Sequence, residues 1–168
     1  PRVKVVNDDA FTYVQDSKTT YDVVLIDLVD PSNEKLAKLY STEFYRNIEA
    51  RLAPEGVMVT QATSTFFSPH AFSTVASTVA AAQPDRQILP FSTNIPSFGE
   101  WGFVLSTRTP QNLISQPLPK GLTYQDRKTL EFIMRTKPAR TETMEPSTLL
   151  HPRIVEVYNQ DMRQWRYY

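Results

Sequence analysis

The stretch Tyr21-Asp22-Val23-Val24-Leu25-Ile26-Asp27-Leu28-Val29-Asp30-Pro31 decides the fold. Val23 to Ile26 is an unbroken β-branched and aliphatic run, the pattern of a strand buried on both faces in a parallel sheet. Asp27 follows with no turn between, so the strand is expected to hold this acid partly desolvated, and Asp30-Pro31 opens a loop. Further along, Thr42 reads as a helix N-cap, with Phe44, Ile48 and Leu52 on one helical face. Ala53-Pro54-Glu55-Gly56 stops that helix, and residues 57–61 (VMVTQ) read as the next strand. Ser68-Pro69 starts another helix, with Phe72, Val75, Ala76 and Val79 on its buried face and Pro84 at its end. Strands are predicted over 86–91 and 101–106, around a Pro-containing loop at 92–100. Upstream, residues 2–6 (RVKVV) read as a short strand and 10–15 as a helix capped by Asp8 or Asp9. This succession is a βαβ series, and the expected class is an α/β sheet.

Composition narrows the function. The 168 residues carry 18 Lys+Arg against 18 Asp+Glu, so the net charge gives no reason to expect a nucleic-acid partner. With no Cys, disulfides, thiol catalysis and thiolate metal sites are excluded. His70 and His151 lie far apart in sequence, which argues against a His-based metal site. The four glycines are Gly56, Gly99, Gly102 and Gly121, so no Gly-rich phosphate loop follows an early strand. The chain also opens on Pro1 and lacks a signal-peptide pattern, which leads to the expectation of a piece of a longer protein.

In an open parallel sheet, ligands bind outside the carboxyl ends of the strands. The residues expected at that rim are Asp8 and Asp9, then Asp27 and Asp30, then Gln61 and Ser64. Three of the acids have a plainer reading, Asp9 as a helix cap, Asp30 as turn chemistry before Pro31 and Asp27 as a solvated loop acid or a cap, and Gln61 and Ser64 alone carry almost no functional signal. Two rim carboxylates suit a cationic substrate such as an amine. One holds an ammonium while the other takes the proton that a nucleophilic nitrogen must lose before it attacks.

The motifs YDVVLIDLVDP, LYSTEFY and LAPEGVMVTQATS, followed by IPSFGEWGFVLST, resemble the spermidine synthase family of polyamine aminopropyltransferases over residues 2–107. The later LLHPRIVEVYNQDMRQW resembles a bacterial subgroup whose full-length members place a membrane-spanning region ahead of this domain. The resemblance implies a partial Rossmann-like, S-adenosylmethionine-dependent methyltransferase fold, a three-layer α/β/α arrangement lacking its first strands. It implies aminopropyl transfer from decarboxylated S-adenosylmethionine, used as a co-substrate without a metal, to a polyamine or other small amine. Asp27 matches the family's catalytic proton acceptor and Asp30 the second acid of its D-x-x-D motif. Asp9-Ala10 matches an Asp-Gly pair that recognises adenine, with Ala in place of Gly. Gln61 and Ser64 fall at the strand-end position, and Phe98 and Trp101 at the acceptor pocket, with Trp101 reading equally as a core aromatic that opens the last strand. A cytoplasmic setting, a homodimer and a membrane region in the full-length protein are further implied.

The departures matter equally. The family's Gly-rich donor loop and the acid after its second strand have no counterpart here, so the isolated piece is expected to be inactive. Phe98 replaces a Tyr that reaches the substrate in many members, and a phenyl ring cannot hydrogen-bond an amine. Glu34 stands where many have Pro. The expected organisation is residues 1–108 as the C-terminal part of the Rossmann-like domain, 109–121 as a connector and 122–168 as a helical extension. Thr123, with Asp126 three residues later, is expected to cap the first of two helices, over 124–135 and 152–166. The cations Arg127, Lys128, Arg135, Lys137 and Arg140 read as a solvated face. Two other readings of the fold are a methyltransferase-like enzyme and a non-catalytic binding domain.

Overall fold

The strand read from residues 21–26 forms β1 (Tyr21–Ile26), and it pairs in parallel with β2 (Leu52–Gln61), Val24 against Met58 and Ile26 against Thr60. The computed structural model describes residues 2–109, 117–122, 126–135 and 141–165. The remaining elements are α1 (Ala10–Asp16), α2 (Glu34–Ala37), a 3₁₀ turn at Lys38–Tyr40, α3 (Thr42–Glu49), α4 (Pro69–Ala82), β3 (Gln87–Ile95), β4 (Gly99–Thr107), α5 (Arg127–Arg135) and α6 (Arg153–Arg163). The sheet runs in the order β1-β2-β4-β3. Only β1 and β2 are parallel; β4 runs antiparallel to both its neighbours, so the sheet is mixed rather than a simple βαβ repeat.

Alternate residues explain the core. Ile26, Met58 and Val104 are buried beneath Phe44, Tyr45 and Ile48 of α3 and Phe72, Val75 and Val79 of α4, with Ile154 of α6 completing the cluster. The opposite face of β1 is open: Val23 is 56% and Leu25 75% exposed. The strand expected to be buried on both faces is therefore buried on one. β1 is an edge strand, and no described helix covers Val23 and Leu25, so the second helical layer is not seen there. Residues 2–6, read as a strand, are exposed and belong to no sheet among the described residues, because no neighbouring strand takes up their backbone groups.

Several boundaries move for local reasons. Ser41, not Thr42, caps α3, accepting the Phe44 N–H at 3.2 Å, and Thr42 becomes the first helical residue. Because α3 ends at Glu49, Leu52 is the first residue of β2 rather than part of the helix. Tyr21 pairs with Leu52 but Val23 with Val57, so residues 53–56 bulge out of the ladder within β2. The buried Arg86 guanidinium fastens this end to Glu49 and to the Gly56 carbonyl. The expected loop at 92–100 is mostly strand: β3 and β4 form a hairpin closed by Phe98 N–H to the Ile95 carbonyl at 2.9 Å. Gly99 takes φ +76°, which a residue with a Cβ adopts only under strain, and so turns the chain there.

The C-terminal segment is built into this core. Residues 141–147 run along α4, whose hydroxyls accept their N–H groups: Ser73 from Glu142, Ser77 from Met144 and Thr78 from Ser147. α6 then returns to the start of α4. There the Asp161 carboxylate, 1% exposed, accepts His70 N–H at 2.9 Å and Ala71 N–H at 3.0 Å, and contacts His70 Nδ1 at 2.6 Å. It satisfies the orphan donors of a helix whose own N-cap, Ser68, makes no side-chain cap bond. α5 starts later than expected, with Asp126 accepting the Thr129 N–H at 2.7 Å. The capping residue read at Thr123 lies outside the described residues, as do Lys137 and Arg140.

Candidate active site

A cleft of about 340 Å³ opens at the carboxyl ends of β1 and β2 and is walled by β4 and the β3–β4 turn. Asp27, Gln61, Phe98 and Trp101 line it, together with Leu25, Val59 and Phe103. Four of the residues read from the sequence thus meet in one place. The wall is mainly apolar and aromatic, with one carboxylate, a composition suited to the methylenes and the nitrogen of a small amine.

Asp27 is exposed, contrary to the expectation that its strand would hold it partly desolvated. The reason is the open face of the edge strand on which it ends. Asp30 has the opposite environment. It is half-buried, its Oδ2 accepts the Tyr158 hydroxyl at 2.9 Å, and its Oδ1 is buried without a hydrogen-bond donor. Burial pushes its carboxyl above the ordinary carboxylate value, an effect opposed by the Tyr158 hydroxyl. Asp30 does not line the cleft.

Gln61 joins the two environments. Its Nε2 donates to the Leu28 carbonyl and to Tyr40 Oη, both at 2.6 Å, and its Oε1 accepts Thr63 N–H at 2.9 Å and Trp101 Nε1–H at 3.2 Å. A side-chain amide offers two donors and two acceptor positions, so this one is fully used inside the protein. Tyr40 in turn donates to the Val29 carbonyl at 2.9 Å. The loop from Asp27 to Asp30 is thereby tied to β2 through its backbone, which leaves the Asp27 side chain unencumbered. Thr63 takes φ +68°, rare for a β-branched residue, and this strained turn points its N–H at Gln61. Gly102 N–H to the Thr63 carbonyl at 2.7 Å and Ser68 Oγ to Thr63 Oγ1 at 2.9 Å hold it there.

Trp101 and Phe98 form an aromatic pair with centroids 5.4 Å apart, Trp101 fixed by Gln61 and Phe98 62% exposed at the turn. Gly102 allows β4 to pass this close to α4: a Cβ there would clash with the edge of the Phe72 ring, 2.6 Å from Cε2. Ser64 is 3% exposed and does not line the cleft. Its hydroxyl donates to the Glu100 carbonyl and accepts the Phe66 and Phe67 N–H groups, so it shapes the loop after β2. Asp9 caps α1 through Thr12 N–H at 3.1 Å and pairs with Lys38 at 2.6 Å. That bond and the Lys38 charge hold its carboxyl below the ordinary value. Ala10 is the first residue of α1, and neither lines the cleft.

Two residues of this network, Tyr40 and Tyr158, were not singled out from the sequence. Tyr40 sits in the quoted LYSTEFY motif, and its burial, which drives the phenol well above its usual pKa, was the missing signal.

A spermine/spermidine synthase domain model matches residues 1–116. The chain belongs to this family. Among curated relatives, this synthase domain is 41% identical over 172 residues to polyamine aminopropyltransferase 1 of Streptomyces coelicolor, covering 100% of this chain and 31% of that protein. It is 38% identical over 170 residues to the polyamine aminopropyltransferase of Mycobacterium tuberculosis, covering 97% of this chain and 31% of that one. The chain therefore spans about a third of the length of the curated relatives it matches. A spermidine synthase solved with the transition-state analogue AdoDATO superposes with a TM-score of 0.66 at 20% identity, over 81% of this chain and 48% of that one. The Thermotoga maritima spermidine synthase gives 0.57 at 16%, over 81% and 46%. These likenesses establish the fold of the synthase domain as that of the spermidine synthases. Among the described residues, no helix of the domain is long and apolar enough to cross a membrane.

Proposed function

We propose that this chain supplies the acceptor side of an aminopropyltransferase that moves the aminopropyl group of decarboxylated S-adenosylmethionine onto a small amine. The observation that carries the reading is Asp27 at the end of a parallel strand, free of intramolecular partners among the described residues and lining a cleft with aromatic walls. In the step, a neutral amine nitrogen forms a C–N bond to the carbon next to the sulfonium, and the C–S bond breaks. Both electrons leave with sulfur as methylthioadenosine, and Asp27 accepts the proton lost by nitrogen. Alignment against Phe98 and Trp101 supplies orientation, and proton removal contributes about 10²–10⁴.

Asp30 is assigned to the far ammonium of the acceptor, Gln61 to holding the loop between the two acids, and Ser64 to the floor of that rim. Asp9 and Ala10 are assigned to the donor's adenine, consistent with the exposure of Asp9. Residues 1–108 are taken as part of the catalytic domain and 122–168 as an extension that completes its core. The phenyl ring of Phe98 packs against methylenes and offers no hydrogen bond, which favours an acceptor held mainly by its charged ends. Asp27→Asn in the full-length protein is expected to lower aminopropyl transfer by about 10²–10⁴; transfer near the wild-type rate would overturn the assignment.

A further inference from the structure

We propose that Tyr158, on a helix more than a hundred residues downstream, is a positioning residue that locks the Asp30 carboxylate for an ammonium group. Its hydroxyl donates to Oδ2 at 2.9 Å, which fixes the plane of the carboxylate, while Oδ1 is buried and lacks a donor. An unsatisfied buried carboxylate oxygen is unfavourable until an N–H reaches it, and a charged N–H supplies the strongest such bond. The helix that carries Tyr158 is rigidly placed. Ile154 is fully buried in the core, Asp161 clamps the start of α4, and Asn159 Nδ2 reaches the Ser32 carbonyl at 3.4 Å on the same loop as Asp30. Three successive turns of α6 thus meet the core, the acidic loop and the start of α4. The C-terminal extension is in this way part of the acceptor site.

The titratable groups recorded against Asp30 are Tyr158 from α6 and Tyr40 from the 3₁₀ turn, with the neutral Gln61 amide beside them. No Lys, Arg or His pairs with it among the described residues. Burial raises the carboxyl and the Tyr158 hydroxyl lowers it, so removing that hydroxyl leaves burial less opposed.

The inference rests on the aminopropyltransferase reading, and the test separates the two. In the full-length protein, Tyr158→Phe keeps the ring and removes the hydroxyl. The KM for a diamine such as putrescine is expected to rise about tenfold with kcat within about threefold, as for loss of one hydrogen bond to a charged group. The acid limb of kcat/KM is expected to move to higher pH. Asp30→Asn combined with Tyr158→Phe is expected to be no worse than Asp30→Asn alone, because the tyrosine acts through the acid. An unchanged KM and acid limb, or additive effects in the double variant, would overturn the lock. Titration of the Asp30 carboxyl carbon by NMR is expected to show a higher pKa in Tyr158→Phe whether or not the protein turns over. An unshifted pKa overturns the lock, whereas wild-type protein that transfers no aminopropyl group overturns the functional reading alone.

Discussion

Asp27 and Asp30 stand three residues apart on one loop, yet they occupy opposite environments. Asp27 ends an edge strand whose outer face is open, and it meets solvent and the cleft. Asp30 lies one turn of loop further on, against α6, where burial favours its neutral form and Tyr158 favours its charged one. The difference teaches that a short acidic motif does not confer one property on both its acids. What each can do depends on which element closes over it: nothing over Asp27 among the described residues, a helix from the far end of the chain over Asp30. The same separation of roles recurs in many acid–base sites, where two similar groups are driven apart by environment.

The contrast can be broken most severely at Gln61, whose amide ties both acids' loop to β2. Gln61→Leu leaves the Leu28 carbonyl, the Tyr40 hydroxyl, Thr63 N–H and Trp101 Nε1–H without that partner. Stability is expected to fall by roughly 2–4 kcal/mol, since each orphaned buried group costs about 1–3 kcal/mol and some find water. Thermal unfolding would read this as a drop of about 5–15 °C at this chain size. A midpoint unchanged from wild type would show that the network is not what holds the loop.

A smaller effect of opposite sign is expected at Asp30. Its folded-state pKa is raised above the unfolded value, so the folded state binds the proton more tightly. Its favourable contribution is present below the ordinary carboxylate pKa and is lost as pH rises through the folded value. Asp30→Asn is therefore expected to raise the melting temperature at pH 7, with the gain fading as pH falls toward 4. Asp27→Asn, at an exposed carboxylate, is expected to leave the melting temperature at pH 7 unchanged. Equal behaviour of the two variants across a pH series of melting curves would erase the distinction. The smallest effect is expected at Phe98, where Phe98→Tyr adds a hydroxyl at an exposed position of the cleft wall. A diamine KM lower by a few-fold, with kcat unchanged, is the expected outcome in steady-state kinetics.

Much of this was legible in the residues themselves. The aliphatic run into Asp27, the helical faces of Phe44-Ile48 and Phe72-Val75-Val79, and the Ser68-Pro69 start all describe local geometry, and local geometry is what periodicity and capping encode. The extent of the hairpin was misread because Pro96 suggests a loop over 92–100, whereas it occupies only the turn between β3 and β4. Pro90, inside the strand expected over 86–91, does sit in β3, the outer strand of the sheet, where a missing donor is tolerated. The openness of Asp27 was not legible, since an aliphatic run looks the same whether one face or two are covered. Nor was the Asp30–Tyr158 bond, which joins residues 128 apart and leaves no mark at any helical or strand spacing. The spread of rim residues followed a similar division. Asp27, Gln61, Phe98 and Trp101 share one cleft, while Asp9 makes the helix cap that its local sequence already offered and Ser64 shapes the loop after β2.

The central claim is that the cleft beside Asp27 serves amine alkylation by an aminopropyl donor. The most direct measurement is product analysis of the full-length protein given a diamine together with decarboxylated or ordinary S-adenosylmethionine. The account predicts methylthioadenosine and the amine lengthened by one aminopropyl group, from the decarboxylated donor only. S-Adenosylhomocysteine and a methylated amine, formed from the ordinary donor while the decarboxylated one stays intact, would contradict it.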